Sequence, residues 1–134
     1  MATPPATLDP DHVGIQVHSP LDGVQVPYSA VVSGSQARPT PPGRHVWAFV
    51  KANVHDARWY PWHRGEIIAH PDGTWAIDLY LGGSAGIQHE IQIGTVGEAL
   101  HTALTTYIER QPDQPLPELP DGFVPEARIA VTVE

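Results

Sequence analysis

At 134 residues the chain has the size of one domain, since two units of half that length would each bury too little apolar surface to be stable. Fifteen acidic residues against seven basic ones give a formal charge of −8, a field that repels phosphate backbones and anionic lipid and so argues against nucleic-acid and membrane partners. The absence of cysteine excludes disulfides, thiolate nucleophiles and cysteine-ligated metal centres, while 15 prolines and 12 glycines indicate many short elements separated by turns, not a helix bundle.

Residues 1–11 are proline-rich and lack apolar periodicity, which predicts a disordered tail leading into one domain over 12–134. The start has neither a basic segment nor an apolar run of signal-peptide length. The expectation is a cytoplasmic protein, or a module excised from a larger one.

Val13, Ile15 and Val17 alternate with Gly14, Gln16 and His18, the period of a strand with one buried face, which Ser19-Pro20 ends. The run 21–27 reads as a connection, 28–34 as a second strand and 35–44 as a proline-rich loop. The third strand, 45–52, is the most apolar. After a turn at 53–57 come the stretch RWYPWHRG, 58–65, and then 66–70, read as two short strands or one bent one, closed by the turn residues His70-Pro-Asp-Gly73. Trp75, Ile77, Leu79 and Leu81 alternate with polar or small residues until Gly82-Gly83. Ile87, His89, Ile91 and Ile93 form one face of the next strand, and Ile129, Val131 and Val133 one face of the last.

The total is about seven strands at the spacing of an antiparallel β-sandwich, an all-β fold. Trp47, Trp75, Ile77, Leu79, Ile91 and Val131 are the expected core, each on the apolar phase of its strand. His89, on an otherwise apolar face, reads as a hydrogen-bonded core histidine.

One segment has helical spacing. Leu100, Ala103, Leu104, Tyr107 and Ile108 predict a helix over about 95–111, with Thr95 and Glu98 as a capping box. The run PDQPLPELPDG that follows reads as an extended return to the last strand. An apolar helical stripe must be covered. The favoured cover is a sheet face or edge of the same molecule, with His101, Thr105 and Glu109 on the outside. The alternative is a partner surface made by Leu104, Tyr107 and Ile108.

Ile15-Gln-Val-His-Ser-Pro20, Asp22-Gly23, Val26-Pro27, Val31-Val32-Ser33-Gly34 and Asp72-Gly73-Thr74-Trp75 resemble the turn punctuation of bacterial immunoglobulin-like accessory domains. The resemblance covers most of 13–93 and the last strand. It implies an immunoglobulin-like or fibronectin-like sandwich acting as an adhesive, spacing or protein-contact module, from which the helix before the last strand is a departure.

Trp59, Tyr60 and Trp62, with His63 and Arg64 beside them, are the candidate ligand-binding residues. Rings sharing a face can stack on sugars while the basic groups hydrogen-bond hydroxyls. Alternation, however, turns Trp59 away from Tyr60 and Trp62. Eight histidines raise the question of a metal, with His55, His63, His70 and Asp72 near neighbouring turns, but their spacing matches no ligand motif. No serine sits in a nucleophile elbow, Asp78 and Glu90 fall on solvent faces, and no phosphate-binding loop precedes the helix. The reading is therefore a non-catalytic contact module for a protein or neighbouring domain, with no cofactor and no metal. Carbohydrate binding through 58–64 is the alternative, and a small metal-dependent enzyme a more distant one.

Overall fold

The computed structural model describes residues 13–54, 58–62, 64–81, 85–110, 116 and 118–134. The expected tail, His55, His63, the Gly82-Gly83 break and most of the proline-rich run at 111–117 lie outside them. The described residues form eight strands and one helix: β1 Ile15–Ser19, β2 Gln25–Val26, β3 Ser29–Gln36, β4 Arg44–Ala52, β5 Trp59–Pro61, β6 Thr74–Tyr80, β7 Gln88–Gly97, α1 Glu98–Arg110 and β8 Val124–Val133.

The fold is mostly β, in two sheets of order β1-β3-β6 and β2-β8-β7-β4-β5. The pairings are antiparallel except that β2 runs parallel to β8, so the larger sheet is mixed. Two short strands complete the larger sheet at its edges, and one of them, β2, is the strand that the sequence reading did not count. β2 lies within the run read as a connection, and β5 takes only three residues of the 58–65 stretch.

The apolar phases of the strands build two cores. Val32, Trp75, Ile77 and Leu79 of the small sheet meet Val46, Ala48, Val50, Ile91, Ile93, Ile129 and Val131 of the large one. On the other face of the large sheet Trp47, Phe49, Trp59 and Val96 meet Leu104 of α1, with Leu100, Ile108 and Phe123 packed around them. β4 is thus buried on both faces, which is why its sequence reads as a nearly unbroken apolar run. Trp47 is buried, as its strand predicts, but it faces the helix and not the interior between the sheets. The layers are sheet, sheet and helix.

The helix is shorter at its start than its periodicity suggests, beginning at Glu98. β7 pairs with β4 as far as Arg44↔Gly97 and with β8 as far as Thr95↔Val124, so the strand runs directly into the helix. Thr95 is consequently a strand residue, and its Oγ1 accepts a hydrogen bond from Arg44 Nη2 at 2.6 Å. Gly94, where the β7–β8 register slips, has no room for a side chain: an added Cβ would overlap the Val124 carbonyl oxygen and lie 2.7 Å from Pro125 Cα.

Side chains close the sheet edges and join the layers. The Glu126 carboxylate accepts the backbone N–H groups of Val13, Gly14 and Ile15 at 3.0, 2.8 and 3.2 Å, tying β1 to β8 of the other sheet. The Trp62 indole N–H donates to the Asp78 carbonyl at 2.9 Å, covering the outer edge of β6. Trp59 and Leu116 exchange backbone hydrogen bonds of 2.8 and 2.7 Å beside β5. Covered edges resist unwanted strand pairing. Among the described residues, no helix is long and apolar enough to cross a membrane.

Candidate functional site

The aromatic run at 58–64 is divided between layers. Pairing of β5 with β4 sets Trp59 opposite Lys51 and Tyr60 opposite Val50, which turns Trp59 into the helix-side core with Lys51 Nζ 4.9 Å from its ring centre. Trp62 packs half-buried against the core between the sheets, and Tyr60 is exposed. Arg64 is exposed and lies 3.8 Å from Asp78. His63 is outside the described residues. The three rings do not all line one face, since Trp59 is turned into the helix-side core.

The helical stripe is likewise used within the molecule: Leu104 is buried, Ile108 packs beside it and Tyr107 is half-buried. Of the histidines near neighbouring turns, His70 is exposed and its backbone N–H donates to the Thr74 carbonyl. The Asp72 carboxylate accepts from the Thr74 hydroxyl and N–H at 2.6 and 3.0 Å, bonds that lower its pKa and close the turn.

A different set of titratable groups converges where β4 meets the start of α1. His45 Nδ1 is 2.7 Å from Glu66 Oε2, and its Nε2 is 3.2 Å from Glu98 Oε1. The His101 ring stacks on that of His45, with centres 3.6 Å apart and planes 9° from parallel, and its Nε2 is 4.0 Å from Glu66 Oε1. The Trp47 indole N–H donates to His101 Nδ1 at 3.1 Å.

Each placement has a local cause. Glu98 and His101 are three residues apart, hence neighbours on one helix face. The direct β7–α1 junction lays that face over His45, whose strand partner is Val96. Glu66 arrives on the chain that crosses from β5, held by the Ile67 N–H to the Val46 carbonyl. His101 therefore points inward, contrary to its expected place on the outer face. The Glu98–His101 spacing was visible in the sequence. Their meeting with His45 and Glu66, which needs the strand pairing, was not.

Ligand atoms of His45, Glu98 and His101 lie within 4.8 Å of one another, a separation that suits a metal ion, but two features oppose that use. An ion bound to two imidazoles must lie near both ring planes, which parallel rings stacked at 3.6 Å do not allow. Indole N–H is a donor only, so His101 Nδ1 must carry a lone pair and the neutral ring must carry its proton on Nε2. Metal ligation through Nε2 requires the reverse, a proton on Nδ1 donated outward. The cluster is arranged to hold protons. Burial works against a charged His45, but the hydrogen bonds and charges of Glu66 and Glu98 outweigh it and raise its pKa above 6.5.

Glu66 also forms part of the wall of a cleft of about 490 Å³ between the segments 36–40 and 66–73. Its opposite wall is braced by Gln36, whose Nε2 donates to the Arg38 carbonyl at 2.9 Å and to Thr40 Oγ1 at 3.0 Å. Compared with protein-family models, with curated proteins and with solved structures, the chain finds no significant match in any of the three.

Proposed function

We propose that the domain is a non-catalytic, immunoglobulin-like contact module that engages another protein, or a neighbouring domain, through the outward face of the β1-β3-β6 sheet. The observation that carries this reading is a cluster of exposed apolar side chains there. Tyr28, Val31 and Tyr80 are 56, 62 and 70% exposed. The two tyrosine rings meet edge to face at 5.3 Å; Ser29, Ser33, Ser35 and Ala76 lie beside them, and the exposed Asp78 stands opposite Val31. Exposed aromatics among polar neighbours are what a protein partner buries.

Support for the immunoglobulin-like reading comes from strand order. The chain begins in the small sheet with β1 and continues in the large one with β2, which runs parallel to the last strand. The intervening strands distribute as β3 and β6 against β4, β5 and β7, a two-sheet arrangement that such sandwiches share. The non-catalytic reading is supported by the histidine cluster, since both nitrogens of His45 are engaged by carboxylates and Nδ1 of His101 by Trp47.

The test is affinity capture from the source cells with wild type, a Val31→Asp/Tyr80→Ser variant and a Tyr60→Ser variant, each first checked by thermal melting. The expected result is a partner held by wild type and Tyr60→Ser and lost by the folded double variant. A partner retained by the double variant, or lost only with Tyr60, would overturn the proposal.

A further inference from the structure

We propose that His45 is a proton-operated clasp. Protonated, it binds the first turn of α1 and the Glu66 wall of the cleft to β4; neutral, it lets one of the two go. The inference goes beyond the contact-module reading and does not depend on it.

The clasp follows from counting donors. An imidazolium has two N–H groups, and the two nitrogens of His45 face two carboxylates from different parts of the chain, Glu66 at 2.7 Å and Glu98 at 3.2 Å. A neutral ring has one N–H. When the proton leaves, one carboxylate loses its donor and both anions flank an uncharged ring.

Among the described residues, the surroundings supply no substitute cation. His101, stacked above, turns its Nδ1 to the Trp47 indole N–H and places its Nε2 4.0 Å from Glu66, beyond hydrogen-bond distance. Arg44, the adjoining basic residue of β4, directs its Nη2 to Thr95 Oγ1. β7 contributes an apolar neighbour, Val96, which is paired with His45. The titratable groups facing His45 are therefore Glu66 from the crossing segment and Glu98 and His101 from the helix, and of these Glu66 and Glu98 carry the opposing charge.

The sign of the effect is fixed. The folded-state pKa of His45 is raised above the ordinary 6.5, so the clasp contributes fully below that value and is lost as pH rises through the higher folded one. Acidification tightens the helix on the sheet, and mild alkalinity loosens its first turn, since the single N–H that remains stays with Glu66 at 2.7 Å and the longer contact to Glu98, 3.2 Å, is the one given up.

The experiment is an NMR titration of the imidazole nitrogens, joined to amide hydrogen exchange of 98–110 between about pH 6 and about pH 8.5, expressed as protection factors to remove the intrinsic pH dependence. In the wild type His45 is expected to titrate above 6.5, and protection of the amides at 102–105, which bond to the carbonyls of the first helical turn, to fall about tenfold as the charge-assisted bond is lost, while β6 stays constant. His45→Gln should abolish that fall. Glu98, 67% exposed, provides a second variant that leaves the interior intact: Glu98→Gln should lower the His45 pKa and flatten the helix response. A His45 pKa at or below 6.5, or helix protection independent of pH in the wild type, would overturn the proposal. So would a zinc-dependent rise in melting temperature that disappears in His45→Gln, since an ion would then occupy the position assigned to the proton.

Discussion

Glu90 is a residue at which alternation gives the right face and the wrong environment. Its position opposite Ile91 and Ile93 puts it on the outer face of the large sheet, where a solvated carboxylate is the ordinary expectation, and Asp78 on β6 meets that expectation. Glu90 is buried instead. The helix covers only part of that face, and the stems of long cations cover more of it: Arg128 Nε donates to Glu90 Oε2 at 2.7 Å, Gln92 donates to the same oxygen at 2.7 Å, and Lys51 Nζ is 4.0 Å from Oε1. Burial raises the pKa of the carboxyl, but the bonds and charges from Arg128, Gln92 and Lys51 outweigh it and leave it below 4.5. A lowered folded-state pKa contributes stability that is present above 4.5 and lost as pH falls through the folded value. Glu90→Gln should therefore cost about 1–3 kcal/mol near neutrality and flatten the acid limb of stability against pH, as measured by urea melts across that range. An acid limb identical to wild type would assign the acid sensitivity elsewhere. His45 and Glu90 thus contribute stability that is lost in opposite directions of pH, the first on rising and the second on falling pH.

At the level of elements, legibility in the sequence followed the number of neighbours an element has. β6 is an edge strand with one buried face, and its strict alternation from Thr74 to Tyr80 could be read directly. β4, central and buried on both faces, announced its burial, and that of Trp47, but not which residue faces which core. The ends of α1 were blurred for a tertiary reason: pairing with β4 and β8 keeps β7 extended through Gly97 and overrides the capping signal of Thr95 and Glu98. Glu98 then opens the helix and reaches His45, a contact made across strand pairings that local spacing does not show. The helix itself depends on its buried stripe, since thirteen residues are too few to hold helical structure alone in water. Leu104→Ala should destabilise the protein by about 2–5 kcal/mol, whereas Tyr107→Ala, at a half-buried position, should cost clearly less. Thermal and urea unfolding of the pair give the comparison, and a Leu104→Ala change below about 1 kcal/mol would mean that the helix is not anchored through this residue.

For the molecule as a whole, the two cores are inseparable because one strand belongs to both. Val46, Ala48 and Val50 face the small sheet, and Trp47 and Phe49, the residues between them, face the helix. Detaching α1 would expose Trp47 and Phe49, while separating the sheets would strip the other side of the same backbone. Unfolding should consequently be a single transition. Trp47 and Trp59 report the helix side and Trp62 and Trp75 the sandwich, so fluorescence and far-UV circular dichroism of Trp47→Phe and of Trp75→Phe should each give coincident urea midpoints. A helix-side signal lost at lower urea would show that the layers unfold separately. The parallel pairing of β2 with β8 also has a mechanical meaning. The Thr132 N–H donates to the Val24 carbonyl at 3.0 Å and the Glu134 N–H to the Val26 carbonyl at 2.9 Å. When the domain is stretched between its two ends, tension enters these neighbouring strands from opposite directions, so the bonds are loaded together in shear and do not open one after another like a zip. The Glu126 carboxylate, which grips the three N–H groups at the start of β1, precedes that seam along the chain and meets tension from the N-terminal side before it does.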